Sequence, residues 1–357
     1  MPDPRDLFDM SDEPENRVLV VGPAWVGDMI MAQTLFKFLR SRWPDRDIDV
    51  LAPAATVSLV ARMPEISVGI LLDQRHGEFG YSYRKNLGHK LRERHYRQAF
   101  ILPNSMKSAL VPFFADIPVR TGFRGEYRYV LLSDIRMLSE KRLPRMVDRF
   151  VALGVAEGEA LPAIENPALM TDADNLATLL ETHGLSTERP VLGICPGAEY
   201  GDAKRWPERH YANLAEYAVS RGMQVWIFGG EGDRAMGDVI ASLTSPAAKS
   251  ALCNLTGETS LTDAIDLLGA CRLVVTNDSG LMHVAAAVGC SVAVLYGSTS
   301  PGFTPPLTEK AHIFSENLSC SPCFKRTCPL GHKNCLENLL PSKLYGLIDQ
   351  HASGAPQ

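Results

Sequence analysis

Short runs of β-branched and aliphatic residues, each closing near Gly, Pro or Asp and each followed by a longer amphipathic stretch, recur along the 357 residues. This alternation specifies a parallel α/β protein, because each strand is carried back to the start of the next by a helix. The first half reads as strands RVLVVG (17–22), DIDVLA (47–52), VGILLD (68–73), QAFILP (98–103) and VRTGF (119–123). Helices are predicted from about Gly27 to Trp43, over 54–63, 84–95 and 105–114, and around 145–153. The second half restarts with strands PVLGICPG (190–197), QVWIFGG (224–230), RLVVTND (272–278) and SVAVLYG (291–297). Its helices are predicted at 207–221, 231–243, 260–270, 280–288 and 338–350. Between the halves, 154–188 is rich in Ala, Glu, Pro and polar residues, with a helix near 172–183, and reads as a linker.

At about 150 residues per domain the length fits two domains. The expected fold class is α/β, two Rossmann-like doubly wound parallel-sheet domains. The expected boundaries are a disordered leader over 1–16, an N-terminal domain over 17–170, a linker region over 171–188, a C-terminal domain over 189–337 and a final helix and tail over 338–357. Ligands of such sheets lie beyond the carboxyl ends of the strands, so two sheets are expected to face a central cleft.

Hydrophobic residues at 45% and charged residues at 22% exclude disordered, collagen-like and heptad-repeat chains. A net charge of -5, from 36 basic and 41 acidic residues, argues against wholesale nucleic-acid binding. The leader MPDPRDLFDMSDEPEN has six acids, one Arg and no apolar run, unlike a signal peptide. Ser279 to Thr308 lacks Asp, Glu, Lys and Arg, but Gly280, Gly289, Gly297 and a Pro cluster break it into a short helix, a turn and a buried strand. A cytoplasmic location is expected. Charge is uneven: residues 84–149 hold fifteen Lys/Arg against six Asp/Glu. Either these are solvated helix faces, or the first domain meets an anionic partner. Arg120, Arg124 and Arg128, with Tyr127 and Tyr129, lie on or just after a strand, where such a partner would bind.

Four of eight cysteines, Cys195, Cys253, Cys271 and Cys290, are scattered in apolar contexts, as buried thiols are. Cys320, Cys323, Cys328 and Cys335 cluster around His332. C-x2-C is a good zinc half-site, but the following C-x4-C-x6-C is looser than a zinc ribbon. Structural zinc, free thiols in a packed loop and disulfides stay open. Nothing nearby resembles a hydrolytic site, so no catalytic zinc is expected.

The first βα loop, VGPAWVGDM (21–29), spaces Gly22 and Gly27 like a phosphate loop. That motif needs Lys then Ser/Thr after the second Gly, and Asp28 and Met29 stand there. No dinucleotide fingerprint is present either. Asp28 is therefore read as a helix cap, as a general base, or as both. In CPGAEYGDAKRWP (195–207) a strand ends, a Gly/Ala loop follows, Lys204 and Arg205 appear and Pro207 opens a helix. Backbone N–H groups beside a Lys suit a phosphate, although a solvated basic turn would look the same. In TNDSGLMH (276–283), Asp278 ends a strand, Ser279 and Gly280 offer donors at a helix's positive end, and His283 lies one turn in. Capping and a buried histidine are the plainer alternative. Glu231 follows a strand and either accepts from ribose hydroxyls or is a first-turn acid. An acid on one domain and phosphate donors on the other suit transfer from a nucleotide-activated donor to a hydroxyl.

These residues resemble the bacterial lipopolysaccharide heptosyltransferases. The matching stretches are VGPAWVGDMIMAQTLF (21–36), LPNSMKSALVPFFADIPVRTGFRGEYRY (102–129), CPGAEYGDAKRWP (195–207), TNDSGLMHVAAA (276–287) and YGSTSPGFTPPL (296–307). The resemblance implies a GT-B glycosyltransferase with metal-independent, inverting chemistry and no catalytic cofactor. It implies ADP-heptose as donor, bound by the C-terminal domain, and heptosyl-Kdo2-lipid A as acceptor, bound by the N-terminal domain. Asp28 falls on the family's base, and Lys204 on its diphosphate lysine. Asp278, Ser279, Gly280 and His283 fall on its donor motif, and Glu231 on the acid near the nucleoside. Arg120, Arg124 and Lys107 are the expected acceptor-binding cations. A lipid acceptor implies peripheral contact with the inner membrane face. A sister enzyme acting on Kdo or a protein, a hydrolyzing nucleotide-sugar epimerase and a non-catalytic sensor remain alternatives.

Overall fold

The computed structural model describes residues 17–353 apart from 75 and 76. The expected leader, 1–16, lies outside the described residues. The chain divides into two units that part between Pro167 and Ala168.

The first unit is a six-stranded parallel sheet: β1 (Val18–Val21), β2 (Ile48–Pro53), β3 (Val68–Leu72), β4 (Gln98–Ile101), β5 (Val119–Phe123) and β6 (Asp134–Arg136), in the order β3-β2-β1-β4-β5-β6. Its helices are α1 (Val26–Arg42), α2 (Ala54–Val60), α3 (Tyr81–Leu91), α4 (Leu110–Phe114) and α5 (Met146–Gly154). β1 and β4 are buried throughout, as strands covered on both faces must be.

The second unit holds α6 (Ala173–Thr182), β7 (Val191–Cys195), α7 (Glu208–Ser220), β8 (Gln224–Ile227), α8 (Arg234–Leu243), α9 (Pro246–Lys249) and β9 (Leu252–Asn254). It continues with α10 (Leu261–Gly269), β10 (Leu273–Asn277), α11 (Gly280–Ala287), β11 (Ser291–Leu295), β12 (Ala311–Phe314), α12 (Asn334–Glu337) and α13 (Tyr345–Ala352). Its strands run parallel in the order β12-β11-β10-β7-β8-β9. Counted within each unit, both sheets have the order 3-2-1-4-5-6, that of the dinucleotide-binding doubly wound fold. Trp206 anchors the second core, fully buried, with its indole N–H on the Leu339 carbonyl at 2.8 Å.

Every strand read from sequence is present, but β6, β9 and β12 are additions. All three are sheet edges of three or four residues, and none is buried along its whole length. An edge strand completes a ladder without needing an apolar run, so periodicity does not mark it. The helix near 172–183, placed in the linker from sequence, is α6 and packs on α10. Asn175 Nδ2 donates to Asp263 (3.1 Å) and Asp266 (2.7 Å). The final helix begins late: Pro341–Leu344 form a 3-10 turn before α13.

Candidate functional site

In each sheet the strand order reverses at one crevice, between β1 and β4 in the first unit and between β7 and β10 in the second. At such a reversal in a doubly wound sheet, adjacent loops leave in opposite directions, and ligands bind outside the carboxyl ends of the strands.

Asp28 belongs to the first crevice. The chain leaves β1 at Val21, Trp25 takes the cap position of α1, and Asp28 stands in the first turn, partly exposed. Its carboxylate therefore lies at the helix's positive end. It is not the cap itself. The helix is buried continuously from Met29 to Phe36 directly behind it.

The expected acceptor cations are arranged unequally. Arg124 is exposed just past β5. Lys107 donates to the Glu78 carbonyl at 3.0 Å. Arg120 donates to the carbonyls of Leu131 (2.6 Å) and Ile117 (2.5 Å) and lies over the Phe113 ring. Arg128, grouped with them from sequence, is 2% exposed and does not present its charge to a partner. Its guanidinium donates to the carbonyls of Pro103, Ser105 and Phe123, to Asn104 Oδ1 and to Ser108 Oγ. Sequence position alone could not separate a solvated Arg from one used to close a loop.

The second crevice brings most of the donor candidates together. Asn277 ties its two walls: Nδ2 donates to the Pro196 carbonyl (2.6 Å), and Oδ1 accepts from the Trp206 amide (3.1 Å) and the Tyr211 hydroxyl (3.0 Å). This clamp sets the 196–206 loop beside the end of β10. Lys204, closing the 3-10 turn Asp202–Lys204, then places Nζ 2.6 Å from Asp278 Oδ2. Both side chains are largely buried, at 14% and 5% exposure. Thr299 Oγ1 donates to the same Asp278 oxygen at 2.6 Å, and Thr304 reaches the other at 3.5 Å. Ser279 caps α11, accepting from the Met282 amide at 3.4 Å. Gly280 is the first residue of that helix. Asn277, Thr299 and Thr304 were missed as site residues. The last two lie in the matching stretch 296–307, where only the fold shows their target.

Lys204 also lies 5.0 Å from the Tyr200 ring, over which Arg326 sits at 5.3 Å. Arg326 comes from the cysteine loop, whose backbone holds this turn: the Ala203 amide donates to the Arg326 carbonyl at 3.1 Å. The turn is thus a basic surface braced from behind.

Glu231 stands apart. It is exposed after β8 and paired with Arg234, which also bonds Glu258. That hydrogen bond, with the charge behind it, lowers its pKa below the ordinary carboxylate value. An ionised acid there can accept from hydroxyls.

His283 is buried one turn into α11. Burial is the main cause that pulls its imidazole from 6.5 down to about 4; Asp278 opposes this and Lys204 adds to it. The unfolded chain takes up this proton near 6.5, so folding stability falls as pH drops from about 6.5 to about 4, and this group contributes no further loss below. The loss from this group is about 3 kcal/mol. Urea unfolding of the wild type and His283→Asn across that range checks this. The variant should show a flatter pH dependence by that amount.

The four clustered cysteines and His332 line one small cavity. Among the described residues, no group of three or more His, Cys, Asp or Glu side chains is arranged to hold a metal ion. The zinc reading therefore finds no support in this geometry. Backbone N–H groups, that of Lys333 foremost, bond the Cys328 sulfur and lower its pKa. His332 Nδ1 accepts from the Asn334 amide.

Residues 84–334 match the profile of Glycosyltransferase family 9 (heptosyltransferase). The chain is similar to lipopolysaccharide heptosyltransferase 2 of Escherichia coli K12, 44% identical over 334 residues covering 92% of this chain and 96% of the relative. It is also 44% identical to lipooligosaccharide heptosyltransferase 2 of Haemophilus influenzae over 304 residues, 83% of this chain and 87% of that one. The solved structure of E. coli ADP-heptose LPS heptosyltransferase II matches with a TM-score of 0.85 and 41% identity, covering 94% of this chain and 98% of that chain. E. coli heptosyltransferase WaaC with ADP shares the fold at a TM-score of 0.69 and 17% identity, over 94% and 100% of the two chains. Two parallel six-stranded sheets flanked by helices agree with the expected GT-B class. On the profile match and these identities, the chain belongs to glycosyltransferase family 9, the heptosyltransferases.

Proposed function

We infer that this glycosyltransferase moves heptose from ADP-heptose onto the lipopolysaccharide inner core, with the first heptose of heptosyl-Kdo2-lipid A as acceptor. The observation that carries the donor side is the Lys204–Asp278 pair at the β7–β10 crevice, in a chain 44% identical to a lipopolysaccharide heptosyltransferase 2. A buried ammonium beside helix-end donors suits a diphosphate whose charge grows as the glycosidic bond breaks.

In this reading Asp28 accepts the proton of the attacking acceptor hydroxyl. The hydroxyl oxygen bonds to the anomeric carbon from the face opposite ADP, and the anomeric C–O bond breaks with its electron pair leaving on ADP. One displacement with one base inverts the centre. Lys204 and the Ser279–Gly280 helix end hold the leaving diphosphate. Asp278 orients Lys204, with Thr299 and Thr304 fixing its carboxylate, and Glu231 accepts from the nucleoside's ribose. Arg124, Lys107 and Arg120 face the acceptor's anionic groups. The reaction takes place at the inner face of the membrane that carries the acceptor. Among the described residues no helix is long and apolar enough to cross a membrane, and in this reading the contact with the membrane is peripheral.

Incubation with ADP-heptose and heptosyl-Kdo2-lipid A, read by mass spectrometry, should show one added heptose. Extension of Kdo2-lipid A lacking heptose instead would assign the chain to the preceding transfer. An epimerised or hydrolysed sugar nucleotide without acceptor would favour the epimerase reading.

A further inference from the structure

The loop between β5 and β6 exposes Tyr127 at 90%, Val130 at 80% and Tyr129 at 58%. Scattered apolar side chains on a surface need no explanation, but three within four residues on an anchored loop do. Arg128, in their midst, is buried with six hydrogen bonds. Leu132 is buried beside it. Gly125 packs so closely on Asn104 that a Cβ there would lie 2.2 Å from its carbonyl oxygen. The fold thus fixes a loop whose apolar tips point outward.

The patch extends at the same sheet edge. The Met106 amide bonds Glu126 Oε2 at 3.0 Å, and Lys107 bonds the Glu78 carbonyl. These contacts join the loop to the segment carrying Phe79 and Tyr81, which are 46% and 48% exposed. Met137, 59% exposed, follows β6. Exposed Arg124 precedes the loop and exposed Lys141 and Arg142 follow Met137 in the chain, within a region of fifteen basic and six acidic residues. Tyrosines with an apolar body and polar tip, set among cations, suit the boundary between water and an anionic membrane.

We propose that the Tyr127–Val130 loop, with Met137, Phe79 and Tyr81 beside it, docks the first unit onto an anionic lipid bilayer. The inference rests on the reading that the acceptor is lipid-borne, and adds the surface that meets the lipid. The exposed cations that flank the apolar residues in the chain repel the same patch on a second copy and attract anionic headgroups. The loop follows β5 at the edge where Asp28 follows β1, so docking brings that edge to the membrane surface.

The full chain is sedimented with vesicles of phosphatidylcholine, alone or with phosphatidylglycerol. Wild-type protein should bind the phosphatidylglycerol vesicles preferentially and release with salt. Val130→Asp, and separately Tyr127→Ser with Val130→Ser, should lower that binding at least about tenfold with unchanged melting temperature. Val130→Asp should also slow transfer to acceptor embedded in vesicles but not to deacylated acceptor in solution. Wild-type protein that ignores anionic vesicles, or Val130→Asp binding them as wild type does, overturns the proposal. So does a variant whose only change is loss of self-association in light scattering. Wild-type binding that depends on the loop, with no transfer to deacylated acceptor, supports the surface and instead overturns the assigned reaction.

Discussion

Asp28→Ala should lower turnover by a factor on the order of 10²–10⁴ and leave the affinity for ADP-heptose near the wild-type value. The asymmetry follows from position. Asp28 stands in the first turn of α1, whereas Lys204, Asp278, Ser279 and Glu231 all lie in the second unit. A residue that takes the acceptor's proton acts in the transition state and contributes little to donor binding. Removing a first-turn acid costs about 0.3–1 kcal/mol of stability, too little to unfold the protein and mimic lost catalysis. Asp28→Asn, which keeps shape and polarity without a base, should fall with the alanine variant. Steady-state kinetics and calorimetric titration of the donor check both halves. A near-wild-type rate in either variant removes Asp28 from the base role.

Lys204→Ala is expected to weaken donor binding and turnover together. A hydrogen bond to a charged group contributes about 1.5–3 kcal/mol, so donor affinity should drop about 10- to 100-fold, and kcat further as charge develops on the leaving diphosphate. The same change also strips Asp278, 5% exposed, of its cation. Breaking a buried pair from one side costs about 3–5 kcal/mol, here moderated by the hydroxyls of Thr299 and Thr304. The double variant Lys204→Ala with Asp278→Asn separates the effects: it should recover much of the stability while donor affinity stays low. Unaltered donor binding in the single variant would mean that the phosphates bind elsewhere.

Most strands were legible because a strand buried on both faces is predominantly apolar, as β1, β4, β7 and β10 are, with only Gln98, Thr276 and Asn277 interrupting the pattern. Asp28, Lys204 and the Asp278–His283 run were legible because they sit where those strands end. Edge strands such as β12, with burial shared between sheet and solvent, carry no such signature. Arg124 and Arg128 also look alike in sequence, four positions apart on one loop. One is exposed and the other is enclosed by five backbone and side-chain acceptors.

Sequence by itself determined the alternation of strands and helices, and with it the two doubly wound sheets whose carboxyl edges hold the candidate site residues. Periodicity of burial is written locally, one element at a time. Only the tertiary structure decided which charges meet. Asp278 finds Lys204 from 74 residues away, Asn277 clamps loops that the sequence holds far apart, and Arg128 turns inward to fix the loop that exposes Tyr127 and Val130. These partners are set by strand order, which no local pattern encodes.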